Sequence, residues 1–294
     1  MMIGTIIKAL SGFYYVSFEN TTYECKARGS FRKSGVSPLV GDRVEFSLQE
    51  EDKGTIEKVL ERKNCLSRPP VANIDKLFIV SSFSAPAPNT LIIDKMTAIA
   101  EYNNIVPIIV FNKSDEGDFK EYRDIYAKSG FKTYVVSAKN GDGMKSLVNE
   151  MSGCVSAFTG NSGVGKSSIL NFVFGNSDIE TGEVSEKLGR GRHTTRHTEL
   201  YELPFGGFIA DTPGFSSLED YKYSFDFKEK LPFLFSDFSD FLHDCRFTSC
   251  SHTKENGCAV IEAVNNGKIE KSRHDSYVSL YNEMKDIKQW NSKK

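Results

Sequence analysis

The stretch GNSGVGKS, at positions 160–167, decides how the sequence around it folds. It matches the pattern G-x-x-x-x-G-K-[ST] and lies between an apolar segment, CVSAF, and a segment with helical spacing that begins near Lys166. Its glycines let backbone N–H groups wrap an anion, and the positive end of the following helix faces the same place. The stretch therefore predicts a strand, a phosphate-binding loop and a helix.

We expect two side chains of this loop to have separate tasks. The ammonium group of Lys166 should bridge the β and γ phosphates of a nucleotide, and the hydroxyl of Ser167 should bind Mg²⁺. The nucleotide-binding residues predicted in this loop are Gly160, Asn161, Ser162, Gly163, Val164, Gly165, Lys166, Ser167 and Ser168.

A second motif, DTPG at positions 211–214, follows the apolar run GGFIA and should end a strand of a parallel sheet, at the edge where such sheets bind ligands. Asp211 can then hold the Mg²⁺ shell, and the N–H of Gly214 can reach a γ phosphate. GRHTT, at positions 191–195, lies between the two motifs. The hydroxyl of Thr194 or Thr195 is the candidate that completes the Mg²⁺ shell; the alternative is a basic, solvated loop.

Two further motifs, FNKSD at 111–115 and VVSAK at 135–139, predict how the base is read. Guanine offers N1–H and the N2 amine as donors, which the carboxylate of Asp115 can accept together. Asn112 should brace the loop, the stem of Lys113 should lie over the ring, and a backbone N–H of the second motif should meet O6. The predicted base-binding residues are Asn112, Lys113, Ser114, Asp115, Ser137 and Ala138.

The base-reading motifs precede the phosphate loop, which inverts the order expected of a GTPase. Apolar segments alternate with helical ones from about residue 76 onward, which predicts a parallel sheet covered on both faces. Ligands bind at one edge of such a sheet, so a circular permutation leaves the pocket intact.

Multidomain architecture is the expected fold class. Residues 1–65 contain five short alternating segments and predict a small β-barrel of the OB type, a fold that often holds oligonucleotides. Residues 66–220, which open with a proline-containing connector, should form the permuted α/β GTPase domain. Residues 221–294 should form a mainly α-helical metal-binding domain. On the barrel, Lys26, Arg28, Arg32 and Lys33 are candidate phosphate contacts or, equally, a solvated edge.

Three cysteines and a histidine crowd into fourteen positions, as Cys245, Cys250, His252 and Cys258. Three thiolates and one imidazole suit tetrahedral Zn²⁺ and leave no open coordination position, so the predicted site is structural. Loose reduced cysteines are the alternative.

Bulk composition is that of an ordinary globular chain of 294 residues, with 37 Lys and Arg against 39 Asp and Glu. The resulting net charge of -2 gives no global field that marks a nucleic-acid binder. No apolar run approaches the roughly 20 residues of a membrane span. We therefore expect a cytoplasmic protein without a membrane partner.

The combination of a small barrel, NKSD and SAK before GNSGVGKS, then GRHTT, DTPG and a Cys/His cluster resembles the circularly permuted ribosome small subunit-dependent GTPases, the RsgA (YjeQ/YloQ) family. The resemblance spans nearly the whole chain. It implies a monomeric GTPase that binds the small ribosomal subunit and its rRNA, is stimulated by it and assists its late maturation. The zinc motif of that family matches the four positions named above.

Hydrolysis needs a group that orients the attacking water, and Phe215 stands where Ras-like enzymes place glutamine. An imidazole can bind such a water, so His193 is the catalytic candidate, a role the resemblance also implies for GRHTT. The alternative is a histidine that faces RNA or solvent.

Two other functions compete with the enzyme: a ribosome-tethering module in which GTP is a structural ligand, and an ATP-dependent kinase, which Asp115 disfavours.

Overall fold

One continuous sheet of eleven strands organises the protein. The computed structural model describes residues 1–29, 31, 37–67, 69–83, 87–175, 198–211 and 223–287. The strand order is β10-β9-β8-β11-β13-β12-β1-β2-β3-β5-β4, and β1 also pairs with β4. The strands are β1 Met2–Leu10, β2 Phe13–Phe18, β3 Thr21–Ala27, β4 Arg43–Leu48, β5 Lys53–Val59, β6 Cys65–Ser67, β7 Pro70–Ala72, β8 Lys76–Ser82, β9 Val106–Asn112, β10 Lys132–Val135, β11 Val155–Thr159, β12 Glu199–Glu202 and β13 Phe208–Asp211.

Strands β1 to β5 close into a barrel, as the alternating segments predict. The β1–β4 pairing closes the circle, and β3 runs parallel to β5, which is the strand arrangement of the OB type. Every second side chain points inward, and the fully buried residues that fill the interior are Ile6, Val16, Cys25, Val44, Phe46 and Ile56. The predicted five-stranded barrel is confirmed.

The proline-containing connector after the barrel holds a short hairpin, β6–β7, where the sequence predicted no strands. Ala72 N donates to Val40 O at 2.9 Å, and Gly41 approaches so closely that a Cβ there would lie 2.0 Å from Ala72 O. Asp42 is fully buried and pairs with Arg62 Nε at 2.7 Å. The connector is thus part of the packed structure.

Beyond the connector, five strands in the order β10-β9-β8-β11-β13 run parallel, and helices cover both of their faces. The named α-helices of the described residues are α1 Thr90–Tyr102, α2 Lys120–Lys128, α3 Met144–Met151, α4 Lys166–Gly175, α5 Phe225–Lys230, α6 Ala259–Asn265 and α7 Lys271–Met284. Successive residues of β8 show the two covered faces, because Leu77 and Ile79 pack with helices α1 and α2 while Phe78 and Val80 pack with α3 and α4.

Among the described residues, one antiparallel strand pairing joins the barrel to this sheet. Lys8 of β1 pairs with Glu199 of β12, and their side chains form an ion pair at 3.0 Å. β12 in turn pairs with β13, whose last residue is Asp211. The sequence did not predict this junction.

The C-terminal part packs on the face of the sheet covered by α1 and α2. At the centre of that contact, Arg273 of α7 is fully buried and donates to Asp94 of α1 at 2.6 Å and to Asp237 at 2.9 Å. Its guanidinium also lies 4.6 Å from the ring centroid of Phe235. Burial opposes the charge, but the two carboxylates outweigh it and raise the pKa of Arg273 above its ordinary value.

Within the described ranges, no helix combines the length and the hydrophobicity that crossing a membrane requires.

Replacement Arg273→Met should lower the free energy of unfolding by about 3–5 kcal/mol, because two buried carboxylates lose their counter-charge. Urea unfolding followed by circular dichroism measures the change. The matched control is Lys271→Met on the same helix, whose ion pair with Asp275 is exposed and should be worth less than about 1 kcal/mol. Equal effects of the two substitutions would contradict the role of the buried cluster.

Candidate nucleotide and metal sites

Strand β11 delivers the phosphate loop to the carboxyl edge of the parallel sheet, and α4 begins at Lys166. Gly160 has a φ of +133°, and a Cβ there would lie 2.1 Å from Val80 O, so only glycine fits. Lys166 Nζ donates to Asn161 O at 2.8 Å and to Gly160 O, which folds its side chain back over the loop. The lysine charge is thereby held where a bound phosphate would lie.

Asn112 ties the base-reading loops to the phosphate loop. Its Nδ2 donates to Val164 O at 3.0 Å, and its Oδ1 accepts from Ala138 N at 3.1 Å. The residue is buried, so both polar ends of its amide are satisfied by protein. A Cβ at Gly165 would lie 2.2 Å from Asn112 Nδ2, so the contact also requires glycine at that position. Three loops from three strands are fixed to one another through this side chain.

Asp115 stands at the mouth of the same cleft. Ser137 Oγ donates to Asp115 Oδ1 at 2.6 Å, and Lys139 Nζ lies 3.6 Å from Oδ2. The hydrogen bond from Ser137, aided by the charge of Lys139, lowers the pKa of Asp115. The carboxylate is therefore ionised and orientated before any ligand arrives, as an acceptor for two donors must be.

Residues from both halves of the predicted nucleotide site line one open cleft of about 380 Å³. The lining residues are Asn112, Lys113, Asp115, Glu116, Ser137, Ala138, Lys139, Gly165 and Ser168. The cleft thus joins the phosphate loop to NKSD and SAK despite the reversed chain order, and its size is that of a small-molecule site. Sequence reasoning did not single out Glu116; its place directly after NKSD is the signal that could have done so.

The other predicted residues of these loops make backbone hydrogen bonds or are exposed to solvent. Ser114 N donates to Val136 O at 3.1 Å, which fastens NKSD to the end of β10, and Lys113 has a φ of +66°, rare for a residue with a side chain. Ser162, Gly163 and Ser167 are exposed at the tip and helix start. Ser137 N donates to Asp142 O and Ala138 N donates to Asn112 Oδ1, so a base would have to share the hydrogen of Ala138 N with Asn112.

Part of the predicted phosphate-sensing machinery lies outside the described residues, namely His193, Thr194, Thr195 and Gly214. The backbone of Asp211 ends β13, which pairs in parallel with β11, so this position lies at the same edge of the sheet as the phosphate loop.

On the barrel, Arg28 pairs with Glu57 at 2.7 Å and Lys26 lies 5.0 Å from the ring centroid of Phe13. Arg32 and Lys33 lie outside the described residues.

The four predicted metal ligands converge. The ligand atoms of Cys245, Cys250, His252 and Cys258 all lie within 4.8 Å of one another. His252 Nδ1 is 3.5 Å from both Cys245 Sγ and Cys258 Sγ, which are 3.9 Å apart. Tetrahedral Zn²⁺ with bonds of about 2.0–2.3 Å requires ligand separations of about 3.5–3.8 Å, so the group can hold such an ion.

Thiolates in this cluster would need a cation beside them. Burial, with the neighbouring thiols adding to it, raises the pKa of Cys250 to about 12, and burial raises the pKa of Cys258. Burial lowers the pKa of His252 and keeps its ring neutral, as a metal ligand requires. Only a positive ion can stabilise several thiolates this close together.

Helix α7 and Glu255 hold the metal loop in place, which sequence reasoning missed. Tyr277 Oη donates to Ser251 O at 2.9 Å, and His274 Nε2 donates to His252 O at 2.8 Å. Glu255 accepts from the amides of Ser251, Thr253 and Lys254. Although partial burial opposes ionisation, the hydroxyl of Ser251 and the backbone donors hold the pKa of Glu255 at about 2.

The fold and the cleft together define a P-loop GTPase with a circularly permuted chain, flanked by a barrel and a Cys/His cluster. The sequence profile of the RsgA GTPase matches residues 59–220, and that of the RsgA N-terminal domain matches residues 3–56. The chain belongs to the RsgA GTPase family and is a GTP-hydrolysing enzyme.

Full-length relatives support this membership. The small ribosomal subunit biogenesis GTPase RsgA of Caldanaerobacter subterraneus subsp. tengcongensis is 46% identical over 96% of both chains. That of Ruminiclostridium cellulolyticum is 44% identical over 100% of this chain and 97% of its own. YjeQ from Thermotoga maritima superposes with a TM-score of 0.85 at 35% identity, covering 98% of this chain and 99% of its own. YloQ, a circularly permuted GTPase, gives 0.82 at 35% identity over 97% and 96%.

Replacement Asp115→Asn should weaken GDP binding by about 10- to 100-fold, because guanine loses charge-assisted hydrogen bonds. Titration of a fluorescent GDP analogue measures the affinity. Glu116→Gln, which removes the neighbouring carboxylate in the same cleft, is the control and should change affinity less than about threefold. If both variants bind like the wild type, Asp115 does not read the base.

Replacement Cys250→Ser should reduce bound zinc from one ion per chain to nearly none, because a hydroxyl is a poor substitute for a thiolate. Elemental analysis of the purified protein counts the ions. Cys65→Ser, at an exposed cysteine outside the cluster, should keep one ion per chain. A full zinc content in Cys250→Ser would remove this residue from the ligand set.

Proposed function

We propose that this chain hydrolyses GTP in a cycle that governs its residence on the small ribosomal subunit, and that it assists a late step in the maturation of that subunit. The observation that carries the proposal is the cleft in which the phosphate loop and both base-reading loops meet. The named activity of the full-length relatives, small ribosomal subunit biogenesis, supplies the partner.

The geometry supports a distinct role for each residue at the cleft. Asp115 accepts the N1–H and N2 amine of guanine, and Ser137 fixes the carboxylate for that contact. Ala138 N can share its hydrogen between Asn112 and O6 of the base. Lys166 stabilises charge that develops between the β and γ phosphates.

Metal ions belong to the proposal at two places. Ser167, Asp211 and one of Thr194 and Thr195 fit the oxygen-rich shell that Mg²⁺ prefers. Mg²⁺ bound there neutralises phosphate charge during transfer. Zn²⁺ fits the Cys245, Cys250, His252 and Cys258 group, where its role is to stabilise a segment with a small core of its own.

The division of the chain follows the same proposal. Residues 1–65 form the barrel that meets rRNA, residues 66–220 the GTPase domain, and residues 221–294 the zinc-binding domain. A monomer in the cytoplasm suits a factor that acts on ribosomal subunits. Phosphate contacts from the barrel would make its RNA affinity fall as salt rises.

Slow turnover without a partner is expected, because Phe215 cannot orient a water molecule as glutamine does. His193, beside the two threonines, is the proposed group that positions the attacking water. Its placement by the ribosomal subunit would complete the site and raise the rate.

Release of phosphate from GTP should rise at least about tenfold when purified small subunits are added, because the partner completes the catalytic site. Steady-state assays with and without subunits measure the ratio. A tethering module whose GTP is a structural ligand predicts a ratio near one. Replacement His193→Ala should abolish most of the stimulation, whereas His243→Ala, at an exposed histidine, should leave it intact.

A further inference from the structure

The N-terminal end of helix α1 lies beside the phosphate loop. Its N-terminal residues share with that loop a small cavity at the carboxyl ends of β8 and β11. Asn89 caps the helix there, since its side chain accepts from Ile92 N at 3.3 Å. The residues that α1 and the phosphate loop contribute to this cavity are Asn89, Ile92, Ile93, Gly160, Asn161 and Val164. Thr159, the last residue of β11 before the loop, donates from Oγ1 to Met96 Sδ of α1 at 3.9 Å, so α1 also contacts the strand that delivers the loop.

One turn further along, the same helix is locked to α7 by charge. Asp94 follows Ile93 directly, is fully buried and accepts from Arg273 Nη1 at 2.6 Å. Lys95 adds a longer ion pair with Glu283, at 3.8 Å, near the far end of α7. Separating the buried pair would strand charges away from water, so the pair holds the two helices together.

Helix α7 then reaches the metal loop through its next residues. His274 holds the carbonyl of His252, and Tyr277 holds the carbonyl of Ser251. Arg273 and Tyr277 are four positions apart, so they lie on the same side of the helix. Tyr277 is fully buried. A run of direct contacts thus leads from the strand that delivers the phosphate loop, through α1 and α7, to the metal loop.

We propose that Arg273 and Tyr277 are positioning residues that couple the two sites, so that guanine nucleotide and zinc each tighten the binding of the other. Nucleotide fixes the phosphate loop and with it α1; α7 follows through Arg273, and Tyr277 then holds the metal loop in its ligating form. Linkage requires the effect to be equal in both directions. The inference rests on the two sites assigned above.

Zinc affinity of the full-length protein, measured by competition with a chromogenic chelator, tests the coupling. In the wild type, saturating GDP should lower the zinc Kd by at least about fivefold, and saturating zinc should lower the GDP Kd by the same factor. Because linkage makes the two factors equal, their agreement checks that both titrations were made at equilibrium.

Replacement Tyr277→Phe breaks the relay at the metal loop and should bring both factors below about twofold. Any intrinsic loss of zinc affinity cancels, because the factor compares the same variant with and without GDP. Tyr281→Phe is the control, since Tyr281 lies one turn further on the same helix. Among the described residues of the metal loop, none forms a hydrogen bond with the Tyr281 hydroxyl, so this variant should keep the wild-type factor. Arg273→Lys tests the contact between α1 and α7 and should also weaken the coupling.

A wild-type factor near one, with both ligands bound, overturns the coupling but not the proposed function. A wild-type factor retained in Tyr277→Phe overturns the route through α7. A chain that binds no zinc or no guanine nucleotide overturns the site assignments, and the coupling with them.

Discussion

The two hydrogen bonds of Asn112 are the contact on which the nucleotide cleft depends. They join the end of β9 to the phosphate loop on one side and to the loop after β10 on the other. Because the amide is buried, removing either partner would leave a polar atom unsatisfied, and the three loops are held at fixed separations. Specificity for a base and affinity for phosphates would thus be properties of one edge of the sheet. This edge exists whatever the order in which the chain visits its strands.

Periodic and chemical signals made much of this structure predictable. Alternation in the first sixty residues and apolar runs separated by helical spacing predicted the barrel and the parallel sheet, because burial on one face or on both imposes those periods. The base and phosphate loops were predicted because each requires special residue types, such as Gly160 at a position where a Cβ would collide with a carbonyl. The four metal ligands were predicted for the same reason, since thiolates and imidazole at close spacing have few other uses.

What could not be predicted depends on contacts between residues that carry no local signal. Lys8 and Glu199 are ordinary surface residues by type, and nothing along the chain indicates that their strands pair. Arg273 stands in a helical segment where arginine is usually solvated, and only the fold reveals Asp94 and Asp237 around it. In the connector, prolines suggested an irregular segment. Pro70 nevertheless begins a strand, because the first residue of a strand can do without an N–H donor.

The permutation explains where the added modules attach. Helix α3 ends at Met151 and β11 begins at Val155, so residues 152–154 make the join, at the edge of the sheet opposite the nucleotide. The new chain ends fall before β8, at the edge of the sheet opposite the nucleotide, and after β13, at the edge that carries the phosphate loop. Strands β8 and β13 are the two that flank β11. The barrel precedes β8 and reaches β12, next to β13, while the C-terminal part follows β13 and packs on α1, next to β8. The barrel thus contacts the sheet near the point where the C-terminal part begins, and the C-terminal part contacts a helix near the point where the barrel ends. Strand β11, which delivers the phosphate loop, lies between these two points. A load on either module would consequently reach β12 or α1, which lie next to the elements that carry the nucleotide site.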